Sequence, residues 1–244
     1  MDYGVSLDGR FWLITAAALL AAALTVSLGR WQLSRAAQKE RMQALVEERG
    51  AQAVLDGASL TPGLGLEAVM HRRVMLRGQW LPEWTVFLDN RPMNSRVGFH
   101  VLTPFKLEGS AAVVMVQRGW APRNFTERSR LPAVQTPAGM VDVRGVIVAA
   151  PSRLYELGQV QAGPIRQNLD LTQYRTQTGL ALLPVCVEQT GLPSEGLLRD
   201  WPAVNMGVDK HFGYAFQWFG LSALIALLYV WFQIVRRIFP QPQQ

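Results

Sequence analysis

The sequence predicts a membrane protein of the α+β class, in which two transmembrane helices flank an antiparallel β domain. Three observations predict this class. An apolar run lies near each end of the 244-residue chain, short segments of alternating apolar and polar residues lie between the runs, and only 17% of the residues are charged. Soluble domains typically contain about a quarter charged residues, so part of this surface faces a medium other than water.

The first apolar run, Phe11 to Leu28, has 18 residues without a charge. As a helix at about 1.5 Å per residue it extends roughly 27 Å, close to the hydrocarbon thickness of a bilayer. A cleaved signal peptide is the alternative, but its apolar region is usually about 7 to 15 residues and precedes a cleavage site of small residues. Bulky and basic residues follow this run, from Gly29 to Leu33. We therefore predict an N-terminal tail and a retained transmembrane helix over residues 1–29.

The second apolar run extends over residues 213–235, and its only strongly polar members are Gln217 and Gln233. Aromatic residues crowd both of its ends, as expected where a helix meets lipid headgroups. An arginine pair at 236–237 ends it. This run predicts a transmembrane helix over residues 211–237 and a tail over residues 238–244.

Two spans place both termini on one side of the membrane and the middle of the chain on the other. Basic residues follow both runs, so the preference of Lys and Arg for the cytoplasmic side gives conflicting orientations. We give the second helix more weight, because long domains cross membranes largely regardless of charge. The middle domain is therefore expected to be extracytoplasmic, with both tails in the cytoplasm.

The sequence between the runs begins with a helical stalk and a loop, over residues 30–67. Ser34 to Arg49 lacks Gly and Pro and predicts a helix that ends at Gly50, whereas Asp56 to Glu67 is rich in Gly and predicts a loop. Residues 68–210 then form the β domain. Its predicted strands are Arg73–Trp80, Thr85–Leu88, Gly98–Phe105, Ala111–Gln117, Val141–Val148 and Leu182–Val187. Turn sequences without a long helix separate the first strands, which predicts an antiparallel sheet or small barrel.

Composition and motifs argue against several functions. The net charge is +6, but Lys and Arg cluster beside the apolar runs, so no nucleic-acid partner is expected. The single cysteine, Cys186, lies in an apolar run and is interpreted as a buried packing residue. No nucleophile, zinc-protease or phosphate-loop motif occurs, and the carboxylates Asp89, Glu108 and Asp142 lie at turns or on polar strand faces. We therefore expect no enzyme and no catalytic residue.

His211 is the residue with a candidate role in metal chemistry. The other histidines, His71 and His100, are distant in sequence, and the scattered methionines do not form a copper-binding pair. His211 stands at the mouth of the second run, where Tyr214 and Trp218 share its helix face around a small residue. This leaves room for a flat apolar ring, and an imidazole can ligate haem iron. A histidine that only anchors the helix among headgroups is the alternative.

The end of the first helix and the start of the second lie at the same membrane surface. Trp31, Gln32 and Arg35 are therefore expected near His211. The guanidinium of Arg35 or the ammonium group of Lys210 would suit a haem propionate. Phospholipid headgroups would serve equally well as partners.

Short motifs are spaced along nearly the whole chain. Residues 29–35 are GRWQLSR after the first run, and residues 211–219 are HFGYAFQWF at the second. Between them lie FLDNR (87–91), GFHVLTP (98–104), VQRGWAP (116–122) and QNLD (167–170). In this order they resemble the surfeit-locus family of cytochrome c oxidase assembly proteins, as a bacterial member. Phe99 and Gln117 stand where the family pattern has Tyr and Asn.

The resemblance implies a non-enzymatic assembly factor of the bacterial inner membrane, with its middle domain in the periplasm. It implies that haem a passes from haem a synthase to subunit I of the oxidase, where this protein aids its insertion or stabilisation. His211 is then the expected haem iron ligand, and the other expected haem-binding residues are Trp31, Arg35, Tyr214 and Trp218. The alternative is a scaffold that holds subunit I during cofactor loading and binds no haem.

Overall fold

The computed structural model describes residues 9–61, 63, 65–127, 130–151, 163–201 and 207–236. The chain divides into two compact units. The described residues before position 45 and after position 203 form a helical unit, and those between them form a β unit. The predicted tail at 238–244 lies outside the described residues.

The helices are α1 (Gly9–Ala51), α2 (Leu66–Val69), α3 (Leu171–Thr178) and α4 (Val208–Tyr229). The chain continues from α4 into a π-helical segment, Val230–Val235. Both α1 and α4 with its extension are long and apolar enough to cross a membrane, and only 6% of each apolar window is buried inside the protein. Their apolar surface therefore faces outward, and the predicted pair of membrane helices around a β domain is confirmed.

α1 and α4 pack against each other through residues that recur alternately every four and every three positions. We call this row of residues on each helix its seam. The less exposed positions that repeat in this way on α1 are Phe11, Thr15, Ala18, Ala22, Thr25, Gly29, Gln32 and Ala36. Those on α4 are His211, Ala215, Trp218, Ser222, Ile225 and Tyr229. This spacing is typical of helices that cross at a shallow left-handed angle, and small residues on one seam allow close approach in a membrane.

Two contacts show that the helices are antiparallel and that their side chains touch. The hydroxyls of Thr15 and Tyr229, at the start of α1 and the end of α4, lie 2.9 Å apart. A Cβ placed on Gly29 would lie 2.8 Å from the ring of Phe219, closer than real Cβ atoms come to a neighbour. Glycine is therefore required at this point of the seam if the ring is to stay in place.

The described residues of the β unit form eight strands. They are β1 (Leu55–Asp56), β2 (Arg73–Trp80), β3 (Val86–Met93), β4 (Arg96–Leu107), β5 (Val113–Pro122), β6 (Val141–Val148), β7 (Ile165–Arg166) and β8 (Leu182–Gln189). The six predicted strands correspond to β2, β3, β4, β5, β6 and β8, and the two extra strands have only two residues each. Strands this short leave no alternating pattern in the sequence.

Five of the strands close into a barrel. The hydrogen-bonded order runs β2-β6-β8-β5-β4, and β4 returns to β2 through residues 105–107 and 78–80. A closed ring with an odd number of strands cannot be antiparallel at every step, and β5 and β8 form the one parallel pair of the ring. The prediction of a small barrel is confirmed, whereas purely antiparallel pairing is corrected at this pair and at the short strands β1 and β7. A small five-stranded barrel of this kind resembles the architecture of OB-folds.

The barrel strands β5 and β8 are buried on both faces. Their inward residues join the barrel core, for example Val114, Val116 and Val185. Their outward residues, which include Met115 and Cys186, are covered by residues of α3 and the segment before it. Cys186 is fully buried, and burial raises the pKa of its thiol to about 12. The interpretation of Cys186 as a packing residue is confirmed.

A charged cluster is buried beside β5. Arg118 has no exposed side-chain surface, and its Nη2 lies 2.9 Å from Glu195 Oε2. The Nη2 of Arg199 lies 3.3 Å from the same oxygen. Arg118 also donates to Thr136, and its guanidinium lies 4.5 Å from the ring centre of Trp80. Two cations thus share one carboxylate, which ties the loops of residues 135–136 and 195–199 to the barrel.

We expect the stability of the β unit to depend on pH through Glu188. Burial raises the pKa of this carboxyl from 4.5 to about 7 in the folded protein. The folded state thus binds the proton more tightly than the unfolded chain does, so the free energy of unfolding should fall as pH rises from 4.5 to about 7. Thermal unfolding of the full chain across this interval measures the fall. Glu188→Gln should flatten that part of the profile, and an unchanged slope in this variant would contradict the assignment.

Candidate functional site

The candidate site lies in the helical unit, where the end of the first membrane span meets the start of α4. His211 is in the first turn of α4, which begins after Gly207 in the left-handed region at φ 61°. The Nδ1 atom of His211 lies 2.7 Å from Oε1 of Gln32 on α1. Both side chains belong to the seams described above and are half-buried. The expected proximity of Gln32 and His211 is therefore observed.

Three of the four other predicted haem-binding residues lie on one flank of the helix pair. At about 100° per residue, Trp31 and Arg35 turn to the same side of the α1 seam. Because α4 runs in the opposite direction, Tyr214 turns to that same side of its seam, whereas Trp218 lies on the seam itself. The contact between Gly29 and Phe219 marks the opposite flank. We call the side bearing Trp31, Arg35 and Tyr214 the aromatic flank.

The aromatic flank is open to its surroundings and carries the guanidinium of Arg35. Trp31 is 50% exposed and Tyr214 is 52% exposed, so both present ring surface outward. The guanidinium of Arg35 lies 5.7 Å from the ring centre of Trp31, and its Nη1 donates to Gln38. A flat apolar molecule with an acidic edge would meet aromatic surface and a guanidinium here.

The residues of this site fit a haem group. Within the part of the chain that the structure describes, His211 Nε2 has no hydrogen-bond partner. An imidazole nitrogen with a free lone pair can ligate iron, the ring surfaces of Trp31 and Tyr214 can pack on a porphyrin, and Arg35 can pair with a propionate.

The other histidines and carboxylates that the structure describes do not form a second metal site. Burial and nearby Arg91 lower the pKa of His100 to about 4, and its ring packs edge-on against Trp201. Glu108 and Asp142 both pair with Arg77 at the surface of the barrel. Among the residues that the structure describes, no three His, Cys, Asp or Glu side chains are grouped closely enough to hold a metal ion.

The central β motifs hold the barrel and its loops together. The indole Nε1 of Trp120 donates to the carbonyl of Arg91 at 2.8 Å, and Arg91 donates to the carbonyl of Gln167 at 2.9 Å. Asp89 pairs with Arg123 at 3.1 Å. These contacts connect β3, β5 and the segment before α3, so the motifs that contain them have a structural role in the β unit.

Sequence reasoning missed two features of the helix pair. The hydrogen bond of Thr15 to Tyr229 and the close contact of Gly29 with Phe219 were not predicted. A repeat of small or polar residues every four and three positions in the first run was the available signal, and it includes Gly29 and Gln32. This signal would also have placed Gln32 on the face that meets α4.

The fold and the site define a class of membrane proteins with two spans, a small β barrel between them and a histidine at the mouth of the second span. The chain belongs to the SURF1 family, whose sequence model matches residues 19–223. The resemblance to the surfeit-locus family is thereby confirmed.

Relatives from bacteria and eukaryotes support this assignment. A SURF1-like protein of Rickettsia prowazekii is 25% identical over 85% of this chain and 84% of its own length. A SURF1-like protein of Drosophila melanogaster is 28% identical over 90% of this chain and 77% of its own length. The cytochrome oxidase assembly protein SHY1 of Saccharomyces cerevisiae is 30% identical over 38% of this chain and 24% of its own length.

Proposed function

We propose that this protein is an assembly factor for haem–copper cytochrome c oxidase, which binds haem a and aids its insertion into or stabilisation in subunit I. Membership of the SURF1 family supports the assembly role, as does the similarity to the cytochrome oxidase assembly protein SHY1 of Saccharomyces cerevisiae. The observation that carries the haem role is the His211 imidazole, whose Nε2 has no partner among the described residues, beside the aromatic flank.

Each residue of the site has a separate task in this function. His211 Nε2 would ligate the iron, which supplies the attachment point for haem. Trp31, Tyr214 and Trp218 would pack on the porphyrin, and Arg35 would pair with a propionate at its edge. The chain catalyses no bond-breaking step. It holds haem a between two partners, haem a synthase and oxidase subunit I.

The location follows from the same proposal. α1 and α4 cross the bacterial inner membrane, so the lipid bilayer is a partner over most of their surface. The β unit lies in the periplasm and both tails lie in the cytoplasm. The basic residues after α4 and the ease with which long domains are translocated support this orientation.

The haem role is tested by substituting His211. Wild-type protein produced together with haem a synthase should purify with haem a, and His211→Ala should lose at least about tenfold of it because the iron ligand is removed. Absorption spectra and pyridine haemochrome assays measure the content. His71→Asn is the matched control, because it removes a histidine of the β unit at a left-handed position, φ 65°, that Asn tolerates.

Two outcomes would count against the proposal. Equal haem content in His211→Ala and wild type would remove His211 from the site. Wild-type protein that copurifies with subunit I but carries no haem would favour a scaffold that holds the subunit during cofactor loading.

A further inference from the structure

The contact between His211 and Gln32 determines which imidazole nitrogen carries the proton. Gln32 Oε1 is a carbonyl oxygen, which can only accept, and it lies 2.7 Å from His211 Nδ1. Nδ1 therefore carries the hydrogen, and Nε2 keeps the free lone pair. We propose that Gln32 is a positioning residue, which holds His211 in the Nδ1-protonated tautomer and so presents Nε2 to haem iron. The haem part of this inference rests on the proposed function, whereas the tautomer does not.

Gln32 is held in place by the packing of the two helices. It lies on the α1 seam between Gly29 and Ala36, which are both buried. The hydrogen bond between Thr15 and Tyr229 fixes the other end of the pair. Thr15 and Gln32 are 17 residues apart and His211 and Tyr229 are 18 apart, so the two contacts join points of nearly equal separation along both helices. The Gln32 amide and the His211 imidazole are therefore held at the same position along the helix axes.

The opposite orientation of the Gln32 amide would favour the other tautomer of His211. If the NH₂ group of Gln32 faced Nδ1, it would donate to that nitrogen, and the imidazole would carry its hydrogen on Nε2. Iron could then bind Nε2 only after that proton was lost. The tautomer of His211 in the free protein thus decides between the two arrangements.

Nitrogen NMR of the full-length protein, labelled with ¹⁵N-histidine in detergent micelles, tests the tautomer without haem. Only three histidines are present, and the signals absent from His211→Ala identify those of His211. We expect a protonated Nδ1 in the wild type and a mixture of tautomers in Gln32→Leu, because leucine offers no acceptor. A wild-type spectrum with a protonated Nε2, or an unchanged tautomer in Gln32→Leu, would overturn the proposal.

Gln217→Leu is the matched control for this substitution. Gln217 is exposed on α4, and its amide has no hydrogen-bond partner among the residues that the structure describes. The same change of residue type should therefore leave the His211 tautomer unchanged. A shift in this control as large as in Gln32→Leu would show that the change acts through the helix and not through the hydrogen bond.

Haem titration supplies the second readout. Removing a hydrogen-bond partner of a metal-ligating histidine typically costs about 10-fold to 100-fold in affinity, and we expect this loss in Gln32→Leu. Gln32→Glu should keep the affinity and lower the reduction potential of bound haem, because a carboxylate accepts more strongly from Nδ1. Unchanged affinity in Gln32→Leu would refute the positioning role alone. A wild type that takes up no haem would instead refute the proposed function, and the tautomer would still report whether Gln32 orients His211.

Discussion

Gly29→Leu will separate the two membrane helices at the level of the candidate site. A Cβ alone would lie 2.8 Å from the Phe219 ring, and leucine adds three further carbons in the same direction. Overpacking of this kind costs roughly 1–3 kcal/mol or more. Because Gly29 is one turn from Gln32 on the same seam, we expect the Gln32–His211 contact to be lost and haem content to fall about as far as in His211→Ala.

Cross-linking between engineered cysteines measures the separation directly. Thr15→Cys and Tyr229→Cys place two thiols on facing residues of the two seams, where the native hydroxyls are 2.9 Å apart. Because a tyrosine hydroxyl lies several ångströms further from the backbone than a cysteine sulfur, a short bifunctional maleimide is used to bridge the two thiols. The native thiol of Cys186 is fully buried and reacts poorly. The reagent should join the helices in the parent protein and should join them several-fold less in Gly29→Leu.

Gly220→Leu is the control for the added side chain. A Cβ on Gly220 would meet no atom within 4 Å, because this residue lies on the exposed side of α4. The helix pair should therefore form normally in this variant. If Gly29→Leu cross-links and binds haem as the control does, the close packing of the seam is not required for the site.

Glu195→Gln will strongly destabilise the β unit. The carboxylate is the shared partner of two buried cations, Arg118 and Arg199, at 2.9 Å and 3.3 Å. Burial and the charge of Arg118 already lower the pKa of Arg199, and Glu195 opposes this effect. Removing the negative charge leaves both guanidinium groups without compensation, and breaking a buried pair in this way costs about 3–5 kcal/mol. Unfolding of the full chain in detergent, followed by circular dichroism, measures the loss.

Glu108→Gln makes the same chemical change at an exposed ion pair. The side chains of Arg77 and Glu108 are 59% and 53% exposed, and exposed pairs contribute only about 0–1 kcal/mol. This control should unfold close to the wild type. Similar stability of the two variants would mean that Glu195 is not the counterion on which the buried cluster depends.

The sequence predicted those parts of the fold that are encoded in local patterns. Arg73–Trp80 and Val141–Val148 match β2 and β6 residue for residue, because alternation marks a half-buried strand. The sequence did not predict the pairing of Gly78 with Leu107 that closes the barrel, since pairing between distant strands leaves no local signal. The short helix α3 was also missed, because its eight residues include three threonines, which have modest helix propensity.

The sequence predicted which residues lie near the candidate site, but not how the two helices are rotated about their axes. Two spans must bring Gln32 and His211 to the same membrane surface, which fixes their depth. Their rotation about the helix axes depends on which faces pack, and this depends on Gly29 meeting Phe219. Hence the sequence could name the neighbours of His211, whereas only the structure shows that Gln32 is its hydrogen-bond partner.

The closed ring of the barrel limits how this protein can associate with others. A sheet with long open edges offers a row of free backbone amides on which a foreign strand can grow, and crowded proteins then aggregate. Here β2, β4, β5, β6 and β8 each pair with a barrel strand on both sides over part of their length, β3 covers much of β4, and the terminal strands β1 and β7 have two residues each. The oxidase subunit of the proposed function would therefore be recognised mainly through side chains and loops, and it could dissociate without breaking the strand pairing of the barrel.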